Sequence, residues 1–211
     1  MKNLVLYAPP AAGKGTLCEY LKEKHGYKHI STGDLLRAEI KKGTDFGKEI
    51  DEIISTGALV SDEIITKLLK NAMEELNGAL FILDGYPRNI DQAKELDTFL
   101  ENYIVINLDI DRELAMKRTL GRVNCKECGR IYNIYFDETK PQNEGVCDDC
   151  GAVLNARNDD NESSFNVRFD IYEENAPVLL DYYKNKEILY IVDSRKTPEE
   201  TSSQVERILN D

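Results

Sequence analysis

What the chain lacks narrows the field first. No apolar run in its 211 residues approaches the roughly 18–20 that a helix needs to cross a bilayer. There is no internal repeat, low-complexity tract or disordered linker. Positive charge is scarce: 27 Lys and Arg face 39 Asp and Glu, a formal net charge of −12. As a whole, such a chain repels nucleic acid and anionic membranes. Tryptophan is absent and aromatics make up 8%, which leaves no basic, aromatic-lined face for single-stranded nucleic acid. The opening MKNLVLYAPP has one lysine and a short apolar run, then Lys14 and a polar helix. It reads as a buried strand rather than a secretory signal, so a cytoplasmic location is expected.

What is present suits a soluble globular fold with one core and room for insertions. Residues 3–8 read as a buried strand and 14–25 as a helix stopped by Gly26. Ser31 or Thr32 caps a helix to about Lys42, a second spans about 46–55, and Ser61 opens a third to about Leu76. ALFILDGYPR is a buried strand entering a turn, followed by a helix at about 90–100 and the strand YIVINLDI. Helices are expected at 111–120, at 165–184 with an interruption near Pro177, and from Pro198 onward, with the strand EILYIV before the last. Alternating strands and helices predict an α/β fold, a parallel sheet with helices on both faces. Two segments break the rhythm: about 31–60 is all helical, and about 122–159 is turn-rich and holds most of the cysteine.

Three groups of residues carry chemistry. In VLYAPPAAGKGTL, an apolar run ends in a small-residue loop with Lys14 between Gly13 and Gly15. Such a loop at a helix start aims several N–H groups at one point, and Lys14 can reach the β- and γ-phosphates of a nucleotide. Thr16 can support a magnesium shell. In LDGYPR, Asp84 stands at the C-terminal end of a strand, the edge where open α/β sheets bind ligands. A carboxylate there can hold magnesium through water, and Arg88 can bind phosphate bidentately.

Cys125 and Cys128, then eighteen residues, then Cys147 and Cys150 form two C-x-x-C pairs, each followed by glycine. In a chain expected in the cytosol this favours metal over disulfide. Four thiolates predict a closed, tetrahedral, structural zinc site, with iron and cobalt left open. The surrounding module (Ile131, Tyr132, Tyr135, Phe136, Val146, Val153, Leu154) is too small to fold well alone, so metal should supply much of its stability. Cys18, the fifth cysteine, falls on the apolar side of a helix and reads as a buried structural thiol.

APPAAGKGT, STGDLLR, LDGYPRNIDQA, GRVNC and ARNDDNE resemble, in order and spacing, the motifs of adenylate kinases with a long zinc-bearing lid. The resemblance covers essentially the whole chain. It implies a P-loop NTPase core (1–30, 61–121 and 160–211), a helical AMP-binding insertion (31–60) and a zinc-bearing lid (122–159). It also implies a monomer that transfers the γ-phosphoryl of ATP to AMP with magnesium, giving ADP.

Ala11, Ala12, Gly13, Lys14, Gly15 and Thr16 would then hold ATP phosphates. Arg118, Ile131, Tyr132 and the backbone of Lys196 would make further ATP contacts. Thr32, Arg37, Ala58, Leu59, Val60, Gly85, Tyr86, Pro87 and Arg88 would line the AMP site, with Gln92 reading the adenine edge. Arg122, Arg157 and Arg168 would join Lys14 and Arg88 in stabilising the transferred group. Asp159 and Asp160 either orient Arg122 and Arg157, pair the lid to the core, or form a solvated acidic turn.

The sequence departs from the family pattern at Ala8 and Ala11, where glycine is usual, at Val123 for a second arginine, and at Ser194 for glycine. The cost at Ala11 depends on its φ: if positive, on the order of 1 kcal/mol. The competing readings are a UMP/CMP kinase, a zinc-ribbon nucleic-acid-binding ATPase, and a nucleotide-binding protein that has lost catalysis.

Overall fold

The computed structural model describes residues 2–56 and 60–210; Ala58 and Leu59 lie outside them. The elements in chain order are β1 (Asn3–Tyr7), α1 (Lys14–His25), β2 (Lys28–Ser31), α2 (Thr32–Lys41), α3 (Asp45–Ser55), α4 (Asp62–Glu74), β3 (Phe81–Asp84), α5 (Ile90–Leu96), β4 (Tyr103–Asp109), α6 (Arg112–Leu120), β5 (Arg122–Cys125), β6 (Ile131–Asn133), β7 (Leu154–Asn155), α7 (Glu162–Asn185), β8 (Leu189–Asp193) and α8 (Pro198–Asn210). Among the described residues no helix is long and apolar enough to cross a membrane.

Five strands form one parallel sheet in the order β2-β3-β1-β4-β8. Successive side chains of a strand face opposite sides, and both sides here are covered. Val5 and Tyr7 join Leu83, Val105, Leu36, Leu69, Leu96 and Leu179 in one half of the core. Leu4 and Leu6 join Ile82, Ile104, Leu17, Leu21, Phe165 and Val205 in the other. That is why the central strands read as unbroken apolar runs. Strand β1 lies between β3 and β4, and the chain changes its direction of travel across the sheet there. The carboxyl ends beside such a reversal open a crevice.

Two elements differ from expectation. The sequence showed no strand before Ser31, yet β2 pairs with β3. KHIS has one buried residue, Ile30, and edge strands this short display no alternation. Helix α7 begins earlier than expected and runs through Pro177 without a break. Proline forfeits one helical hydrogen bond, but Ala176 and Leu179 beside it are buried, and that packing holds the helix.

The turn-rich segment folds as a three-stranded antiparallel sheet in the order β6-β5-β7. Its apolar centre is smaller than the sequence suggested: Cys125, Tyr132, Cys147 and Leu154, with Val123 and Ala152 against them. Tyr135, Val146 and Val153 are exposed.

A polar clasp joins α5, β4 and α7. Asp97 accepts from the Tyr103 hydroxyl at 2.6 Å, from Tyr182, and from Lys186 at 2.5 Å. Burial alone would raise the Asp97 carboxyl, but these donors bring it below its ordinary value. A depressed carboxylate stabilises the fold above its unfolded pKa and loses that contribution as pH falls through the folded value. Urea unfolding of Asp97→Asn should therefore show a deficit of about 1–2 kcal/mol at pH 7, narrowing below the ordinary value of 3.8. A deficit independent of pH would contradict the charge-based account.

Candidate active site

The loop after β1 turns sharply. Ala11 has φ 55, in the left-handed region, whereas Ala8 does not. Gly13, at φ 91, caps α1 with backbone alone, leaving the first N–H groups of the helix without a side-chain acceptor. Lys14 donates to the Ala8 carbonyl at 3.1 Å and the Pro9 carbonyl at 3.0 Å, so its ammonium stands over the loop. Burial lowers the Lys14 pKa, opposed by Asp84. A Cβ on Gly15 would come 2.9 Å from Ile131 Cδ1, so β6 lies directly against this loop.

Asp84 ends β3. His29 Nε2, from β2, is 3.3 Å from Asp84 Oδ2. Burial would raise the Asp84 carboxyl, yet the His29 hydrogen bond and the charges of Lys14 and Arg88 bring it below its ordinary value. It is a carboxylate at neutral pH. The buried Thr32 hydroxyl donates to the Gly85 carbonyl at 3.1 Å and Arg88 Nε to the same carbonyl at 2.9 Å. Gly85 has φ +84, and a Cβ there would sit 2.5 Å from Thr32 Oγ1. Only glycine lets β3 turn this close to α2.

The arginines converge above these groups. Arg122 makes a two-toothed pair with Asp160 at 2.7 and 2.5 Å. Arg168 donates to the Asp159 carboxylate at 2.9 Å and the Asp159 carbonyl at 2.7 Å. Asp159 and Asp160 are thus partners of Arg168 and Arg122. Arg37 is paired with Asp34 at 2.6 Å. Among the described residues, Arg88 and Arg157 make no ion pair. Burial, with Arg122 and Arg37 nearby, pulls Arg157 down to about 10, which leaves it charged but poorly satisfied.

Among the described residues, every one expected to meet a nucleotide or its magnesium lines one cleft of about 1700 Å³, apart from Tyr86. The cleft holds Ala11 to Thr16, Thr32, Arg37, Val60, Asp84, Gly85, Pro87, Arg88, Gln92, Arg118, Arg122, Ile131, Tyr132, Arg157, Arg168 and Lys196. It exceeds the roughly 300–1,000 Å³ usual for one small ligand and has room for two. Tyr86 instead points into the core, its hydroxyl 3.1 Å from Thr66 Oγ1.

Five residues carry duties the sequence did not show. Gln92 accepts from the Arg88 N–H at 2.7 Å and donates to Asp62 at 2.6 Å, so one lone pair and one N–H remain for a ligand. The Tyr132 hydroxyl accepts from the Asp148 N–H at 2.8 Å and lies 3.5 Å from Cys147 Sγ. Arg118 donates to the Ser194 and Lys196 carbonyls at 2.8 and 3.1 Å. Ser194 is buried and its N–H bonds the Asp109 carbonyl. Val123 packs in the lid centre.

The four paired cysteines converge, all sulfurs within 4.8 Å of one another. Cys125 and Cys150 are 3.4 Å apart, Cys128 and Cys147 3.5 Å. Ligands at roughly 2.3 Å around a tetrahedral ion stand about 3.8 Å apart, so the set fits a metal. Gly129 and Gly151, at φ +81 and +73, turn their N–H groups back to the Cys125 and Cys147 carbonyls. The Tyr132 hydroxyl brings the Cys147 thiol down to about 6.

Comparison with known proteins matches this arrangement. The adenylate kinase family model matches residues 6–188. The chain is 44% identical to the adenylate kinase of Borrelia turicatae, with 92% of each chain covered. The chain belongs to the adenylate kinase family. It is also 39% identical to the adenylate kinases of Archaeoglobus fulgidus and Rickettsia africae, over 98% of this chain and 97% and 98% of theirs.

Of the residues that sequence reading missed for this adenylate kinase site, Asp62 was visible only as a first-turn acid of α4. His29 was hidden because β2 itself was not foreseen. The alanine at 11 carries a methyl in the left-handed region, at a cost of about 1 kcal/mol. Ala11→Gly should raise unfolding stability by up to about that much. A loss of stability in denaturant titration would show that the loop is relaxed around the methyl.

Proposed function

We propose that the chain catalyses the reversible, magnesium-dependent transfer of the γ-phosphoryl group of ATP to AMP, giving two ADP, and that it works as a monomer. The observation that carries this reading is Arg157: half-buried in a cleft among other cations, without an ion pair, and lowered to about 10. Such a group calls for an anion. Arg37, Arg88, Arg122, Arg168 and Lys14 line the same cleft, which has volume for two nucleotides.

ATP phosphates sit in the loop from Ala11 to Thr16, on the N–H groups at the start of α1 and on Lys14. Ile131, Tyr132, Arg118 and the Lys196 backbone border the rest of ATP. The AMP phosphate lies between Arg37 and Arg88. AMP's base lies between Thr32, residues 58–60 and the turn from Gly85 to Arg88, and Gln92 reads adenine with its remaining lone pair and N–H. The Asp62 contact fixes which end of the Gln92 amide faces which way.

An AMP phosphate oxygen attacks the γ-phosphorus, and the oxygen bridging β and γ leaves on ADP. The attacking group is already anionic, so no general base is needed. The protein aligns the two nucleotides and offsets charge on the equatorial oxygens, the task of Lys14, Arg88, Arg122, Arg157 and Arg168. Magnesium, when bound with ATP, neutralises charge on the β- and γ-oxygens. Asp84 would hold its waters, with Thr16 beside it. The segment carrying α2 and α3 closes over AMP and the lid 122–159 over ATP, expelling the water that would otherwise accept the phosphoryl group. Zinc in the four-cysteine site would stiffen the lid without touching phosphate.

In a coupled assay with ATP and magnesium, AMP should turn over at least about tenfold faster than UMP, CMP or GMP. Arg157→Ala should lower kcat by about 10²–10³-fold with the fold intact by circular dichroism. Absence of turnover with AMP, or preference for a pyrimidine acceptor, would sink the reading. Stripping the lid metal with a chelator should lower the thermal midpoint and activity together, and zinc should restore both. An unchanged midpoint after elemental analysis shows the metal gone would refute the structural role.

A further inference from the structure

A second cluster of metal-binding groups lies behind the phosphate loop. Cys18 Sγ, one imidazole nitrogen of His29 and one carboxylate oxygen of Asp84 lie within 4.8 Å of one another. They come from three elements, α1, β2 and β3. His29 and Asp84 face the cleft, while Cys18 is fully buried behind them. His29 Nε2 and Asp84 Oδ2 are 3.3 Å apart, close to the spacing of two ligands at roughly 2.0–2.1 Å on a tetrahedral ion. The sulfur needs to close by at most about 1 Å to reach its own bond length of roughly 2.3 Å.

We propose that Cys18, His29 and Asp84 form a second site for a thiophilic divalent cation of the zinc class, and that its occupancy inhibits the enzyme. Sulfur, nitrogen and oxygen donors together select zinc or cobalt(II) over magnesium, which takes oxygen ligands. The carboxylate and a Cys18 thiolate cancel the ion's two positive charges, so Lys14 nearby faces no uncompensated cation. Binding exchanges a proton for the metal: Cys18 S–H gives its proton to solvent as the sulfur–metal bond forms. Imidazole coordinates through one nitrogen and keeps its proton on the other, remaining neutral. The fourth position faces the cleft and holds water. Inhibition follows because Asp84 is withdrawn from the waters of the magnesium–ATP complex. That half of the proposal rests on the role assigned to Asp84 above; metal binding itself does not.

The test uses the full chain with zinc already in the lid. Cobalt(II) is titrated in, the sulfur-to-cobalt charge-transfer band is followed, and zinc and cobalt are counted after desalting. The expected result is one zinc and one cobalt per chain with a thiolate band. In Cys18→Ala and in His29→Gln the cobalt should be lost, or bound about tenfold or more weakly. Retention of the band in Cys18→Ala, or cobalt that only replaces lid zinc, overturns the site. Cys18→Ser keeps the volume should Cys18→Ala fail to fold, and it must lose the same band.

Activity is then measured at fixed magnesium–ATP. Free zinc should inhibit the parent enzyme, with relief by excess magnesium, while Cys18→Ala keeps its basal rate and resists zinc about tenfold better. Binding without inhibition would keep the site and overturn its link to Asp84. Inhibition unchanged in Cys18→Ala would overturn the link to this cluster.

Discussion

Mutual repulsion among cations gathered at close quarters is the constraint around which this molecule is arranged. Lys14, Arg37, Arg88, Arg122, Arg157 and Arg168 share one cleft in a chain whose net charge is −12. Bringing them together costs free energy that the fold must supply elsewhere. Part is offset locally, by Asp160 on Arg122, Asp159 on Arg168, Asp34 on Arg37 and Asp84 near Lys14. The rest is left open at Arg88 and Arg157. A strained constellation of this kind is pre-organised for phosphate, because the reorganisation that water would need at the moment of reaction is built in beforehand. The overall acidity then has a role: anionic macromolecules are repelled by the surface, while small anions reach the cations through the cleft.

Much of this was legible in residue order. The apolar runs at β1, β3 and β4 announced a sheet covered on both faces, and Gly13-Lys14-Gly15 announced a helix start. Spacing alone brought four cysteines to one point. What stayed hidden has common causes. Strand β2 is too short and too near the sheet edge to show a period. Helix α7 kept Pro177 because tertiary packing outweighed a local propensity. The second duties of Gln92 and Tyr132 arise from partners thirty residues away at Asp62 and sixteen away at Asp148, and no pattern within a helix or strand encodes such distances. Tyr86 shows the reverse error: a motif position was assigned to the cleft, while its ring is one of the largest fully buried groups in the core.

The lid illustrates how little hydrophobic burial a functional module can possess. Two of its four buried apolar positions are cysteines, and several of its larger side chains face solvent. Order comes instead from hydrogen bonds: the two glycine turns, the Tyr132 hydroxyl between Asp148 and Cys147, and the strand pairing of β5.

Arg118 shows where this module is anchored. Its guanidinium holds the carbonyls of Ser194 and Lys196, its own carbonyl accepts from Asn133 at 2.7 Å, and Phe136 lies 6.0 Å from it. One residue near the end of α6 thus fastens the segment after β8 to the lid. Asn133 stands 15 residues from Arg118 and Lys196 stands 78, yet they meet at a single residue. Arg118 thus makes a joint between two parts of the fold: the turn after β8 cannot shift relative to the antiparallel sheet without breaking one of its hydrogen bonds.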